Sequence, residues 1–394
     1  MFCSDIRHIF LMRAMLKWCN LQERHGIMPA PLAHYNRRKI ILFFGRFIRA
    51  ALARVTVTGY ANIPKHGPLI VVGNHVGYAE PTLMATTMPW PIELVAGGDV
   101  PIRSNFAWML KLYGVLSVNR GEIDRTALKA ISDILERGGS VGIFPEGGVW
   151  DRKIGDARLG VAYLSQQTQT PILPMGFGGV VGALDKAFKF KRPKVTVNIG
   201  VLIPPVPTSE NYRERKALAQ KASNAIMQSI YDLVPPDDEI NKLGERQEAF
   251  DLVIELTHAA GASVAIPDAM TIANGDDVAL LFHRPILLGV VIDNLERHAA
   301  EPLRHLQTEH DPAKLALALG EALQVYSVEK PVFLGYRLGY QRAERILASL
   351  RKMKALADWA AERGYHMRIM PKVTITYPDG RIEHADYPAV AHTV

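Results

Sequence analysis

Cysteine is nearly missing from this 394-residue chain, with only Cys3 and Cys19 present. Two cysteines so placed supply no disulfide framework, no zinc-ligand spacing and no nucleophile in the body of the chain, as expected in a reducing cytoplasm. Equally absent is an uncharged apolar run of the ~20 residues that a membrane-spanning helix needs. Residues 2–21 and 37–54 come nearest, but Arg7, Arg13 and Lys17 interrupt the first and Arg46, Arg49 and Arg54 the second. No small-residue cleavage site follows residues 2–21, so they are not read as a secretory signal. Repeats of solenoid length are lacking. Gly176, Gly178, Gly179 and Gly182 do not have dinucleotide-loop spacing and are read as a flexible strand exit. His258, His283, His298, His305 and His310 show no ligand spacing. No metal and no bound cofactor is expected.

What is present is apolar material and an uneven charge. Hydrophobic residues make up 48% and the net charge is +7, enough apolar surface for two or three packed units. Residues 1–54 hold ten Lys and Arg against two acids, whereas the chain beyond Pro236 is acidic. The early bases stand among bulky apolar residues: Arg37, Arg38 and Lys39 lead into Ile40, Ile41, Leu42, Phe43, Phe44, Phe47 and Ile48. That mixture predicts a helix lying in a membrane interface on anionic lipid, with its bases snorkelling to headgroups, or the same helix packed on the domain behind it. Nucleic acid is not an expected partner. Lys186, Lys189, Lys191, Arg192 and Lys194 form a second basic run around Phe188 and Phe190, suited to a headgroup, a carrier protein or water alone.

From Val55 the texture changes to short apolar runs alternating with helical periods. Residues 68–73, 112–118, 140–144, 171–175 and 194–201 are strand candidates; 126–137 and 212–233 are helical. This alternation predicts an α/β fold with a mainly parallel sheet flanked by helices, whose ligands collect beyond the strand ends. Pro235-Pro236 followed by Asp237-Asp238-Glu239 marks a boundary. The expected organisation is interfacial helices over 1–54, a central domain over 55–236 and an acidic, mostly helical accessory domain over 237–394. In the last, Ile346, Leu350, Met353, Ala357 and Ala360 line one helical face ended by Gly364, and a small hairpin turns at Pro378-Asp379-Gly380.

The most informative segment is Asn74-His75-Val76-Gly77-Tyr78-Ala79-Glu80-Pro81, just after a buried-strand candidate. Five helical steps would put His75 and Glu80 about 140° apart, so the segment is expected to be a loop entering a helix near Glu80. There the carboxylate reaches back to one imidazole nitrogen and leaves the other to take a proton. Downstream stand Gly114-Val115-Leu116-Ser117-Val118-Asn119-Arg120, then Phe144-Pro145-Glu146-Gly147-Gly148, then Pro171-Ile172-Leu173-Pro174.

These four blocks resemble the glycerolipid acyltransferases, the glycerol-3-phosphate and lysophospholipid acyltransferases, over roughly residues 38–235. The resemblance implies that His75 is the general base and Glu80 its orienting acid. It implies an acceptor site from Gly114, Arg120, Phe144, Pro145, Glu146 and Gly147, with Pro174 behind it. It further implies an acyl-CoA or acyl-carrier-protein thioester as co-substrate, and a peripheral place on the cytoplasmic face of a membrane. Two positions depart from the family's pattern. Glu80 stands where Asp is usual, and Gly148-Val149-Trp150-Asp151 replaces the usual Thr-Arg-Ser. The missing arginine weakens the case for a phosphate on the acceptor, with Arg152, Lys153 and Arg158 as the candidate substitutes. The rival expectations are a catalytically silent lipid-binding protein on the same scaffold, and an acyltransferase for a non-phosphate acceptor.

Overall fold

The computed structural model describes residues 35–77, 79–97, 112–118, 124–147, 158–258, 260–284, 288, 292, 306, 311–325 and 338–386. Expectations for residues 1–34, for Arg120 and for residues 148–157 lie outside the described residues.

A seven-stranded sheet organises the first half of the chain. Its strands are β1 (Arg54–Thr58), β2 (Leu69–Gly73), β3 (Glu93–Gly97), β4 (Leu116–Val118), β5 (Ser140–Ile143), β6 (Ile172–Gly178) and β7 (Lys194–Ile199), in the order β1-β7-β6-β2-β5-β3-β4. The sheet is mainly parallel, as the alternating sequence pattern implied. One neighbouring pair, β6 and β7, is antiparallel, and β1 runs with β7. β2 lies at the centre, paired in parallel with β5 and β6. All its residues are buried, and the unbroken Leu69-Ile70-Val71-Val72 run is what a strand covered on both faces requires. Each such side chain contributes about 1.5–3 kcal/mol on burial. The strand expected over 112–118 is shorter: Leu112 and Tyr113 close a helical turn, Gly114 at φ +76° breaks it, and β4 starts at Leu116.

Helix α1 (Tyr35–Leu52) packs on this unit through a polar contact. Arg38 is among the largest fully buried side chains of the chain. Its guanidinium pairs with Glu93 at the start of β3, and donates from Nε to the Tyr113 carbonyl at 2.8 Å and from Nη2 to the Gly114 carbonyl at 2.6 Å. Tyr113 donates its hydroxyl to the Ile92 carbonyl at 2.8 Å, and burial pushes its phenol up to about 12. One turn on, Leu42 enters the core, while Phe43, Phe44, Phe47 and Ile48 stay exposed. The helix is therefore packed on the domain along one face and carries an open apolar face along another.

α2 (Glu80–Thr87) follows β2, and α1 holds its far end. Arg46 donates to the Thr86 carbonyl at 3.1 Å and the Met88 carbonyl at 2.7 Å, and Arg49 to the hydroxyls of Thr86 and Thr87. Cations there satisfy orphan carbonyls and complement the helix dipole. α3 (Arg125–Glu136), α4 (Gly160–Thr168), α5 (Ala183–Phe188), α6 (Tyr212–Tyr231) and α7 (Glu239–Glu245) complete this half.

The region beyond residue 246 has cores of its own. Helices α8 (Gly275–Phe282), α9 (Pro312–Val325) and α10 (Tyr340–Glu362) bury Phe282, Leu315, Leu319, Ile346, Leu350 and Met353. Buried Asp277 joins α8 to α10 by meeting Arg342 Nε at 2.7 Å and Arg345 Nε at 2.8 Å. The hairpin expected near the end forms, but as part of an antiparallel sheet of β8 (Gln247–Thr257), β9 (Ser263–Val264), β10 (His366–Thr376) and β11 (Ile382–Asp386), in the order β11-β10-β8-β9. β8 was not expected, because Phe250, Val253, Ile254 and Thr257 also satisfy a helical period.

Candidate active site

Parallel pairing places the ends of β2 and β5 side by side at the carboxyl edge of the sheet, the edge where such sheets bind ligands. The chain leaves β2 at Gly73, where an added Cβ would lie 2.5 Å from the Phe177 ring. Glycine is needed for that close approach. Asn74 comes next and is fully buried. Its side-chain amide donates to the Phe177 carbonyl at 3.0 Å and accepts the Phe177 N–H at 2.8 Å. His75 is thus launched from a point fixed to β6.

The backbone N–H of His75 donates to Glu146 Oε1 at 2.9 Å. Glu146 comes from the turn after β5, closed by Gly147 N–H on the Phe144 carbonyl at 3.0 Å with Gly147 at φ +73°. Phe144, opening the same turn, stacks on the imidazole with centroids 4.2 Å apart and planes at 26°. One short turn therefore supplies both a carboxylate for the His75 backbone and an aromatic wall for its ring.

The loop enters α2 at Glu80, with Pro81 in the first turn. The Glu80 side chain is fully buried, and its Oε1 accepts the backbone N–H groups of Val76 and Gly77, each at 2.7 Å. His75 Nδ1 lies 3.9 Å from that same oxygen, beyond the ~2.6–3.2 Å of a hydrogen bond. The carboxylate thus reaches back as expected, but what it grips is the loop backbone rather than the ring. Among the described residues, His75 Nδ1 and Glu80 Oε2 are both buried without a hydrogen-bond partner. The imidazole itself stays 15% exposed.

The family pattern described as Acyltransferase matches residues 54–178, the stretch that holds β1 to β6 and every contact just described. Residues 54–178 form an acyltransferase-family domain. Over 129 aligned residues the chain is 35% identical to a 1-acyl-sn-glycerol-3-phosphate acyltransferase of Borreliella burgdorferi. That match covers 31% of this chain and 50% of the relative, so the chain spans about half the length of that protein. A solved structure, the 1-acyl-sn-glycerophosphate (LPA) acyltransferase PlsC from Thermotoga maritima, aligns over 56% of this chain and 89% of that one, with 20% identity and a TM-score of 0.39.

Within the acyltransferase domain, His75, Glu80, Phe144, Glu146 and Gly147 come together, with Pro145 in the turn between them. Two other candidates sit elsewhere. Gly114 precedes β4, at the opposite edge of the sheet from His75, and its carbonyl holds Arg38. Pro174 lies inside β6 opposite Val72, between the Ile172–Ile203 bridge and the β6–β7 pairing that begins at Met175. That gap is where a residue without an N–H is tolerated. Arg158 is anchored beside the site by its N–H on the Pro145 carbonyl at 3.0 Å.

His258 packs edge-on against Tyr365, and His283 faces the Pro371 carbonyl. Among the described residues no group of three His, Cys, Asp or Glu is placed to hold a metal. Sequence reasoning missed the Asn74 clasp and the Arg38–Glu93 pair. The sign for the first was a carboxamide directly after a fully apolar strand; for the second there was none.

Proposed function

We propose that this chain moves a fatty acyl group from an acyl-CoA or acyl-carrier-protein thioester to the hydroxyl of a glycerol phosphate or lysophospholipid-like acceptor, with His75 as general base. One observation carries the reading. The imidazole stands at the carboxyl end of the central parallel strand with its buried Nδ1 turned toward a buried carboxylate. An Nδ1–H directed at Glu80 leaves the Nε2 lone pair for the acceptor hydroxyl. As that oxygen bonds to the thioester carbon, its proton passes to Nε2 and the carbonyl becomes a tetrahedral oxyanion. Collapse of the oxyanion breaks the carbon–sulfur bond, and the imidazolium returns the proton to the leaving thiolate. No acyl-enzyme is needed, because a thioester is already activated.

The resemblance to the Borreliella burgdorferi relative supports a phosphate-bearing acceptor, for which Arg120 and Arg158 are the cations to test. The absence of arginine from Gly148-Val149-Trp150-Asp151 favours a non-phosphate alcohol as the second reading. The open apolar face of α1 supports work at a membrane surface bearing anionic lipid, without a span. No helix among the described residues is long and apolar enough to cross a membrane. The deciding experiment incubates the full chain with labelled acyl-CoA or acyl-carrier protein and a panel of lysophosphatidate, glycerol 3-phosphate, monoacylglycerol and an amine, with products identified by mass. Acylated lysophosphatidate or glycerol 3-phosphate supports the main reading. Acylated monoacylglycerol alone supports the second, and no product with any acceptor leaves a silent lipid-binding scaffold.

A further inference from the structure

Helix α5 ends in a conformation that side-chain sterics disfavour. The Lys191 N–H donates to the Lys186 carbonyl at 2.8 Å and the Phe190 N–H to the Ala187 carbonyl at 2.9 Å. These are the paired bonds of a Schellman cap, whose left-handed position is ordinarily taken by glycine. Here Phe190 holds it at φ +55°, and Arg192 follows at φ +45°. A bulky residue at positive φ is strained, and such strain persists where it serves a purpose. Burial does not offset it, because Phe190 is 78% exposed and Phe188 is 53% exposed.

Lys186, Lys189, Lys191, Arg192 and Lys194 flank the two rings in sequence and are all exposed, with Asp185 the one acid nearby in sequence. Arg192 donates to the Ala50 carbonyl at 3.0 Å, so the loop abuts the last turn of α1, the helix with the open aromatic face.

We infer that this capping loop is a second lipid contact, in which Phe190 enters the apolar boundary of an anionic bilayer while the flanking bases meet headgroup phosphates. Exposed aromatics flanked by bases are the composition of interfacial segments. An acidic protein partner would be gripped by the lysines and would leave the strained ring without a role. The inference rests on the membrane-surface reading of α1 and adds a contact that α1 does not supply.

The test uses the full chain and vesicles of phosphatidylcholine with phosphatidylglycerol. Glycine relieves the backbone strain, so Phe190→Gly is expected to melt at a higher temperature than wild type while its partition to vesicles falls about tenfold. A merely structural ring gives the opposite pattern, with lower stability and unchanged partition. In Phe190→Trp, the added indole emission over wild type should shift to the blue on vesicle binding and be quenched by brominated lipid. Equal partition of Phe190→Gly and wild type, or an added indole signal blind to brominated lipid, overturns the inference and leaves α1 as the membrane contact. Weakened binding of acyl-carrier protein with unchanged vesicle partition overturns it in favour of a protein partner. Failure of wild type to bind vesicles at all removes the membrane reading itself.

Discussion

Glu80 Oε1 is shared by the backbone N–H groups of Val76 and Gly77 while His75 Nδ1 stands 3.9 Å away from the same atom. The acid therefore has a structural duty that can be separated from a catalytic one. Glu80→Gln keeps a carbonyl oxygen for the two amides but loses the charge that would hold an imidazolium. It should melt within a few degrees of wild type and turn over at least tenfold more slowly. Unchanged turnover in that variant would make Glu80 a loop tie only. Glu80→Ala is a poorer probe, since each amide left unsatisfied costs about 1–3 kcal/mol.

His75→Ala is expected to lower acyl transfer by roughly 10² to 10⁴, the usual contribution of a positioned base. Its backbone bond to Glu146 does not need the imidazole, so near-ultraviolet circular dichroism should match wild type. A folded His75→Ala protein with wild-type turnover would move the base elsewhere.

Arg38→Met should destabilise the protein by about 3–5 kcal/mol, because it leaves the Glu93 carboxylate buried without its charge partner. Adding Glu93→Leu to that variant should restore part of the loss. Urea titrations of the single and double variants read this directly, and equal midpoints for wild type and Arg38→Met would refute it.

Replacing Phe43, Phe44 and Phe47 together by Ser should leave melting nearly unchanged, since all three rings are already exposed. Partition to anionic vesicles should fall by more than tenfold, and the binding left to wild type should weaken as salt rises. Vesicle sedimentation across a salt series is the measurement. Unaltered partition would mean that this face of α1 meets something other than lipid.

His283 gives the region beyond residue 246 an acid-sensitive contact. Burial lowers its pKa below the usual 6.5, against the opposing pull of the Pro371 carbonyl, and Arg284, Glu248 and Asp386 also act on it. Below ~6.5 the unfolded chain then binds the proton more readily than the folded one. The contribution of His283 is complete above that pH and is lost as pH falls through the folded value. The difference in urea midpoint between wild type and His283→Gln should shift in favour of the variant as pH drops from neutral to mildly acidic. A difference constant with pH would show that the ring does not report on folding.

How much of this was legible follows from how local each signal is. β2 and β5 declare themselves in Leu69-Ile70-Val71-Val72 and Ser140-Val141-Gly142-Ile143, because full burial needs no partner residue to be read. β1 and β3 did not: Arg-Val-Thr-Val-Thr over 54–58 suits an edge strand or a loop, and β3 opens on Glu93, a carboxylate buried only because Arg38 lies 55 positions earlier to neutralise it. The same long-range dependence hid the packing of α1. At the site, the blocks around His75 and Glu146 were joined by the resemblance to the glycerolipid acyltransferases, and the structure sets both directly after neighbouring central strands. The grip of Glu80 on the loop backbone was not legible, because it depends on a bend that spacing does not encode.

The clasp between Asn74 and Phe177 also bears on how a catalytic loop leaves a sheet. Where a strand stops, the neighbouring strand keeps pointing one donor and one acceptor into the buried space beyond it. Asn74 offers the same pair of groups from its side chain that a further residue of β2 would have offered from its main chain. The ladder therefore gains a rung that the backbone does not occupy. The backbone is released one residue early, and His75 stands clear of the pleat with β6 still fully bonded at Phe177.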